Sequence, residues 1–225
     1  MAKILIFDSG PLINLAMNGL LHLLEKLKQN FNGKFIITES VKEEVYDRPI
    51  NIKRFELEAL QIQSLIEKKV LELPEAINIH SEELESETNY LLNEINRSFK
   101  AENQWINLVS KAEVSCLALS LILSKKGINN IIAIDERTAR LICEKPENLA
   151  ELMSKKLNKR ISIQNAEIRK LQGIKFIRSP ELVYVAYKKG LTDIEGKKAL
   201  EALIYATKFK GSSISFEEAE ELKKL

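Results

Sequence analysis

The sequence predicts an α/β protein with three layers, α/β/α, around a central parallel sheet of four or five strands, plus helices at the C-terminal end. Three observations carry this reading. Short apolar, β-branched runs alternate with segments of helical periodicity from the first residues onward, as β-α-β-α-β with short connections. Two of these runs, Ile4 to Phe7 and Ile131 to Ile134, are apolar throughout, as strands buried on both faces must be. Each of the two stops at an aspartate, Asp8 and Asp135, which places a carboxylate at the carboxyl end of a strand, where open α/β sheets bind ligands.

In order, the first strand runs from Lys3 to Phe7, and Pro11 pre-sets a helical turn just after Asp8-Ser9-Gly10. Leucines at near-helical spacing predict a helix from Leu12 to Lys28, loosened at Gly19. Asn30 to Gly33 is turn chemistry before a second strand, Lys34 to Ile37. Thr38, Glu39 and Ser40 offer N-caps to a helix reaching Asp47, which Arg48-Pro49 ends. A helix over 55–68 and a third strand over 70–73 follow. Ser81 to Ser98 reads as an acidic helix and 100–105 as a loop. Ser110 to Lys125 is a helix apolar nearly all round and hence central.

After the fourth strand, Arg137 to Lys170 reads as helical, and Ile174 to Ile177 as an edge strand. From Pro180 onward the chain reads as helices, with capping-box spacing at Thr192/Glu195 and Ser215/Glu218. The expected organisation is one domain over 1–179 and a helical extension over 180–225 packed on it.

Composition bounds the function only loosely. Of 225 residues, 45% are hydrophobic and 29% charged, with a net charge of +2, ordinary for a globular protein. Two isolated cysteines, Cys116 and Cys143, make no metal-type pair and suit a reducing interior. No apolar run is long enough to span a bilayer, and the N-terminus lacks the pattern of a secretory signal. The expectation is a cytoplasmic protein with no membrane partner.

Four acids stand where a parallel sheet would gather them: Asp8, Glu43 or Glu44, Glu113 and Asp135. Helical geometry separates the second pair. Val41 and Val45 mark the inward stripe; Glu44 lies roughly 60° from Val41 and Glu43 roughly 160° away. Glu43, three residues after Ser40, suits a capping box, and Glu44 the site. Glu113 follows Ser110 with the same spacing, so a helix cap and a site role compete for it. An aspartate that ends a strand, such as Asp135, is most often turn chemistry.

Four stretches now resemble a known family. Ile6-Phe7-Asp8-Ser9-Gly10-Pro11-Leu12-Ile13-Asn14-Leu15 is similar to the opening motif of PIN-domain nucleases, and Ile36 to Val45 to the second, with Glu44 on its acidic position. Ala112-Glu113-Val114-Ser115 resembles the third motif, and Ile134-Asp135-Glu136 with Arg137 and Arg140 the fourth. The third departs from the family, with Glu where many members carry Asp and Lys111-Ala112 in place of a glycine.

The resemblance implies strand order 3-2-1-4-5 and a metal-dependent endoribonuclease, serving as a toxin or in RNA processing. It makes Asp8, Glu44, Glu113 and Asp135 both the catalytic residues and the ligands of Mg²⁺ or Mn²⁺. Ser9 and Asn14, which would also brace the carboxylates, and Arg137 and Arg140 would bind the substrate. RNA, an antitoxin or assembly protein, and a second copy in a homodimer are the expected partners. Hard divalent cations take oxygen ligands, and a bound metal lowers the pKa of its water, so the residue types suit the chemistry.

Two readings compete. The altered third motif suits a non-catalytic RNA- or protein-binding module on the same fold. An aspartyl-phosphate phosphatase also begins with a strand-end Asp, but Gly10 stands where that chemistry wants a second Asp.

Overall fold

The computed structural model describes residues 3–102, 104–164 and 167–225. Strand β1 (Lys3–Phe7) is central, with β2 (Gly33–Ile36) parallel on one side and β5 (Asn129–Ala133) parallel on the other; β7 (Phe176–Ile177) pairs beyond β5. The third expected strand shrinks to one bridge, Ile36 with Glu72, where Lys69 takes a left-handed conformation and Pro74 follows. With that bridge the order is 3-2-1-4-5, as the resemblance implies. Gly33 is required there: a Cβ would come within 2.1 Å of the Lys3 carbonyl oxygen, so no side chain fits between β2 and β1.

Helices flank this sheet on both faces. The first, expected as one piece, is two: α1 (Ser9–Met17) and α2 (His22–Gln29), parted where Gly19 adopts φ +69°. Next come α3 (Glu39–Lys42), continued by a π-helical turn over Glu43–Asp47, then α4 (Glu56–Glu67) and α5 (Ser81–Asn96).

A second, antiparallel sheet was not legible beforehand. It is formed by β3 (Phe99–Ala101), β4 (Gln104–Trp105) and later β6 (Ile161–Ile163), in the order β4-β3-β6. It replaces the expected loop over 100–105, of which residue 103 lies outside the described residues. The next helix, α6 (Lys111–Lys125), is buried nearly all round, as its composition predicts.

The helix expected over Arg137 to Lys170 is instead α7 (Arg137–Glu144), α8 (Pro146–Leu157), β6 and a 3₁₀ stretch over Glu167–Leu171, with 165–166 outside the described residues. Pro146 starts a new helix because it lacks an N–H, and Asn158 ends it in a left-handed cap. The tail forms α9 (Ser179–Lys188), α10 (Lys197–Phe209) and α11 (Phe216–Leu222). Ser215 and Glu218 form their capping box. Thr192 and Glu195 do not: the N-cap of α10 is Gly196, and Thr192 Oγ1 donates to the Ile194 carbonyl instead.

The main core is continuous from the sheet through α6 to Leu182, Val183 and Ala186 of α9, while Leu200, Ile204, Ile214, Ala219 and Leu222 make a smaller cluster. Among the described residues no helix is long and apolar enough to cross a membrane.

Candidate active site

Asp8 leaves β1 and caps α1: its Oδ2 accepts from the Gly10 N–H at 3.4 Å. The residue is 2% exposed, yet Oδ1 is buried with no hydrogen-bond partner. Such an orphaned carboxylate oxygen is costly. Burial, then the negative charge of Glu113 and more weakly that of Glu44, push the Asp8 carboxyl up to about 7. Two remote acids therefore bear on the strand-end aspartate.

Asp135 is its neighbour across the β1–β5 seam. A Cβ on residue 10 would lie 3.5 Å from both Asp135 Cβ and Asp8 Oδ2, so the two acids flank the bare backbone of Gly10. Their fates differ. Asp135 Oδ1 accepts from the Ser179 N–H at 2.8 Å; Oδ2 accepts from Ser179 Oγ at 2.6 Å and from Asn14 Nδ2 at 2.9 Å. Three donors satisfy this carboxylate as fully as Asp8 is left wanting.

Glu44 lies on the π-helical turn, half-buried, while its neighbour Glu43 is exposed, as the helical stripe predicts. Glu43 is no cap, however. Thr38 caps α3, its Oγ1 accepting from the Val41 N–H at 3.2 Å, and Glu43 pairs with Arg48 at 2.8 Å. The helix starts two residues before Ser40, which moves Glu43 off the capping position.

Glu113 combines both of its readings. The capping box with Ser110 is complete, through Ser110 N to Glu113 Oε2 at 2.6 Å and Glu113 N to Ser110 Oγ at 3.2 Å. Its carboxyl is nevertheless raised, by burial foremost and then by the charges of Glu136 and Glu44. A buried hydroxyl pair, Thr38 and Ser115 at 2.6 Å, ties the start of α3 to the first turns of α6 and so fixes the two elements that carry Glu44 and Glu113.

The four acids are not a ready-made ion cage. Among the described residues no three His, Cys, Asp or Glu side chains form a group that could hold a metal ion. Two of the carboxylates have other business, Asp135 held by Asn14 and Ser179 and Glu113 by its cap, and like charges close together repel.

The expected substrate-binding residues also divide. Asn14 is 1% exposed and so touches no solvent-borne substrate from this position; Nδ2 grips Asp135 and the Thr207 carbonyl at 2.8 Å. Its role is bracing, because a planar amide with two donor hydrogens spans both acceptors. Arg140 is half-buried and its Nη2 donates to Ser213 Oγ at 3.1 Å, docking the loop before α11. Arg137 is exposed at the start of α7, and Ser9 is half-buried in the first turn of α1.

The reading of the sequence missed Ser179, Thr207 and Ser213, which fasten Asp135 and Asn14 from the C-terminal segment, and Glu136, which caps α7 through the Thr138 and Ala139 N–H groups. Only Glu136 carried a local signal, an acid before Arg-Thr-Ala at a helix start.

Residues 4–88 match the family described as a PIN domain, a span that includes Asp8 and Glu44 and ends within α5. No curated protein and no solved structure matches the chain. That match makes residues 4–88 similar to a PIN domain, a nuclease-type fold, and the parallel 2-1-5-7 sheet flanked by helices is consistent with such a fold.

Proposed function

We propose that the chain is a metal-dependent endoribonuclease that hydrolyses phosphodiester bonds of single-stranded RNA at the hollow around Asp8. The observation that carries this reading is the unpartnered Oδ1 of Asp8, buried beside further carboxylates. A fold does not leave such an atom unsatisfied without consequence, and a hard divalent cation is the partner its chemistry suits. The donor set is all oxygen, which fits Mg²⁺ or Mn²⁺ and argues against softer ions.

In this scheme Asp8 and Asp135 hold the cation, and Glu44 and Glu113 orient the attacking water. A divalent cation there supplies charge neutralisation and a more acidic water. Asn14 and Ser179 keep Asp135 aimed, through three hydrogen bonds to its two oxygens. Arg137, exposed beside the site, grips a phosphate of the strand.

The test is cleavage of a labelled single-stranded RNA with Mg²⁺ or Mn²⁺, with and without chelator. Activity that requires the ion and disappears in Asp8→Asn supports the reading. Activity unchanged in that variant overturns it. The engagement of Glu113 in its cap favours one second reading, a binding module without catalysis; RNA binding with no divalent-ion binding by calorimetry would select it.

A further inference from the structure

The face of the sheet between α2 and α9 is incompletely covered. By strand alternation Leu5 and Ile131 point to this face from the two central strands, β1 and β5. A parallel strand is normally covered on both sides, yet Ile131 is 39% exposed, and Val185 of α9 36%. Between them lies a cavity of about 450 Å³ with Phe31 and Leu27 on its far wall. That volume is within the range of small-molecule sites.

Its charged groups are all of one sign. Lys3, Lys175 and Lys189 line it, and no described Asp or Glu does. None of the three lysine side chains makes an ion pair with a described residue, whereas nearby Lys28 and Lys34 share Glu72 at 3.8 and 3.0 Å. The amide of Asn30 adds a polar edge, whereas that of Asn130 is turned to the other face of the sheet and bonded to Ser120 and Ser124 of α6. The cavity opens at the starts of β1 and β5, whereas Asp8 follows the end of β1, roughly 10 Å beyond Leu5 and roughly 16 Å beyond Lys3 at the usual rise of a strand. It is therefore separate from the acidic hollow.

We infer that this cavity between α2, α9 and the sheet is a binding site for a small amphipathic anion, an apolar body with one anionic head. The body lies on Leu5, Phe31, Ile131 and Val185, where its burial supplies the driving force. The head meets the three lysines, whose uncompensated charge selects an anion over a neutral compound of the same shape. The site does not depend on the proposed nuclease activity, so either can fail alone.

The full chain is titrated with 8-anilinonaphthalene-1-sulfonate by fluorescence, then with decanoate and decanol as competitors. Saturable enhancement is expected, displaced by decanoate, with decanol at least about tenfold weaker. Lys175→Glu with Lys189→Glu should weaken decanoate about tenfold or more at an unchanged melting temperature. Val185→Trp, a filling substitution at a part-exposed helix position, should abolish binding while the chain stays folded.

Three results overturn the inference: no saturable binding at about millimolar decanoate, equal affinity for decanol, or binding that the charge reversal leaves unchanged in a folded variant. Capture of an acidic amphipathic peptide without any decanoate binding would also overturn it, in favour of a protein partner.

Discussion

Asn14 and Asp135, 121 positions apart, meet at 2.9 Å, and the same Asn14 amide reaches the Thr207 carbonyl at 2.8 Å. One buried side chain thus joins the first helix, the end of β5 and the end of α10. Asn14→Ala removes both donated bonds and leaves a buried carbonyl and a carboxylate short of a donor. The expected cost is about 2–4 kcal/mol, read from the urea midpoint at unchanged slope. Amide exchange should quicken in the last turn of α10 and the loop before α11 well before it does in β1. Uniform acceleration across the sheet would show that the contact is not a local fastening.

The opposite sign is expected one strand end away. Asp8 carries a buried oxygen that no donor satisfies, so Asp8→Asn exchanges an uncompensated charge for a neutral amide of the same shape. The variant should melt higher than the parent at pH 7.5 without divalent ions, yet lose about a hundredfold or more of RNA cleavage. A stabilised but inactive variant is the mark of strain kept for function. A variant that melts lower would mean that Asp8 serves the fold.

The contrast between these two aspartates explains how much could be read beforehand. The sheet and the inward position of Glu44 follow from local periodicity and strand-end chemistry, which a sequence displays; the strand order came only with the family resemblance. That Asp8 and Asp135 would flank Gly10 follows from neighbouring strands. The partners of Asp135 and Asn14 do not: Ser179, Thr207 and Ser213 come from distant segments and bind through backbone groups as well as side chains, which leave no local pattern. The small antiparallel sheet was hidden likewise, because Ile161-Ser162-Ile163 is too short to outweigh the helical charge pattern around it.

Stability should depend on pH through Asp8. Its carboxyl sits at about 7 in the native chain, against 3.8 when free. The native state therefore binds this proton more tightly, and between those values stability falls as pH rises, levelling off above about 7. The fall attributable to Asp8 is on the order of 1–3 kcal/mol. Chelated wild type and Asp8→Asn, unfolded in urea from pH 5 to 8, should differ by this slope. Adding Mg²⁺ should flatten the wild-type curve, because a ligand of the ionised form stabilises the native state where the proton is lost. Parallel curves for the two proteins would assign the dependence elsewhere.

Adjacent glutamates on one turn give an internal control. Glu43 is exposed and paired with Arg48, and Glu44 is half-buried with its charge felt at Asp8. Glu43→Gln should change stability by no more than about 0.5 kcal/mol, as an exposed ion pair is worth little, and leave cleavage within about twofold. Glu44→Gln should lower kcat by about tenfold or more at similar stability. Equal effects would mean that the inward helical face does not define the site.

Glu113 allows cap and catalysis to be separated within one residue. Its Oε2 accepts from the Ser110 N–H at 2.6 Å, and its charge raises Asp8. Glutamine retains an oxygen that can accept the same bond, whereas alanine does not. Glu113→Ala should therefore lose about 1 kcal/mol of stability, the usual worth of such a cap, and Glu113→Gln much less. If the carboxylate orients the attacking water, both variants lose activity alike, by about tenfold or more. If the residue is only a cap, Glu113→Gln keeps full activity and the loss follows stability. Asp8 reports independently: either substitution removes a neighbouring negative charge, so the pH at which Asp8 releases its proton should move down, seen by carboxyl ¹³C shifts in both variants.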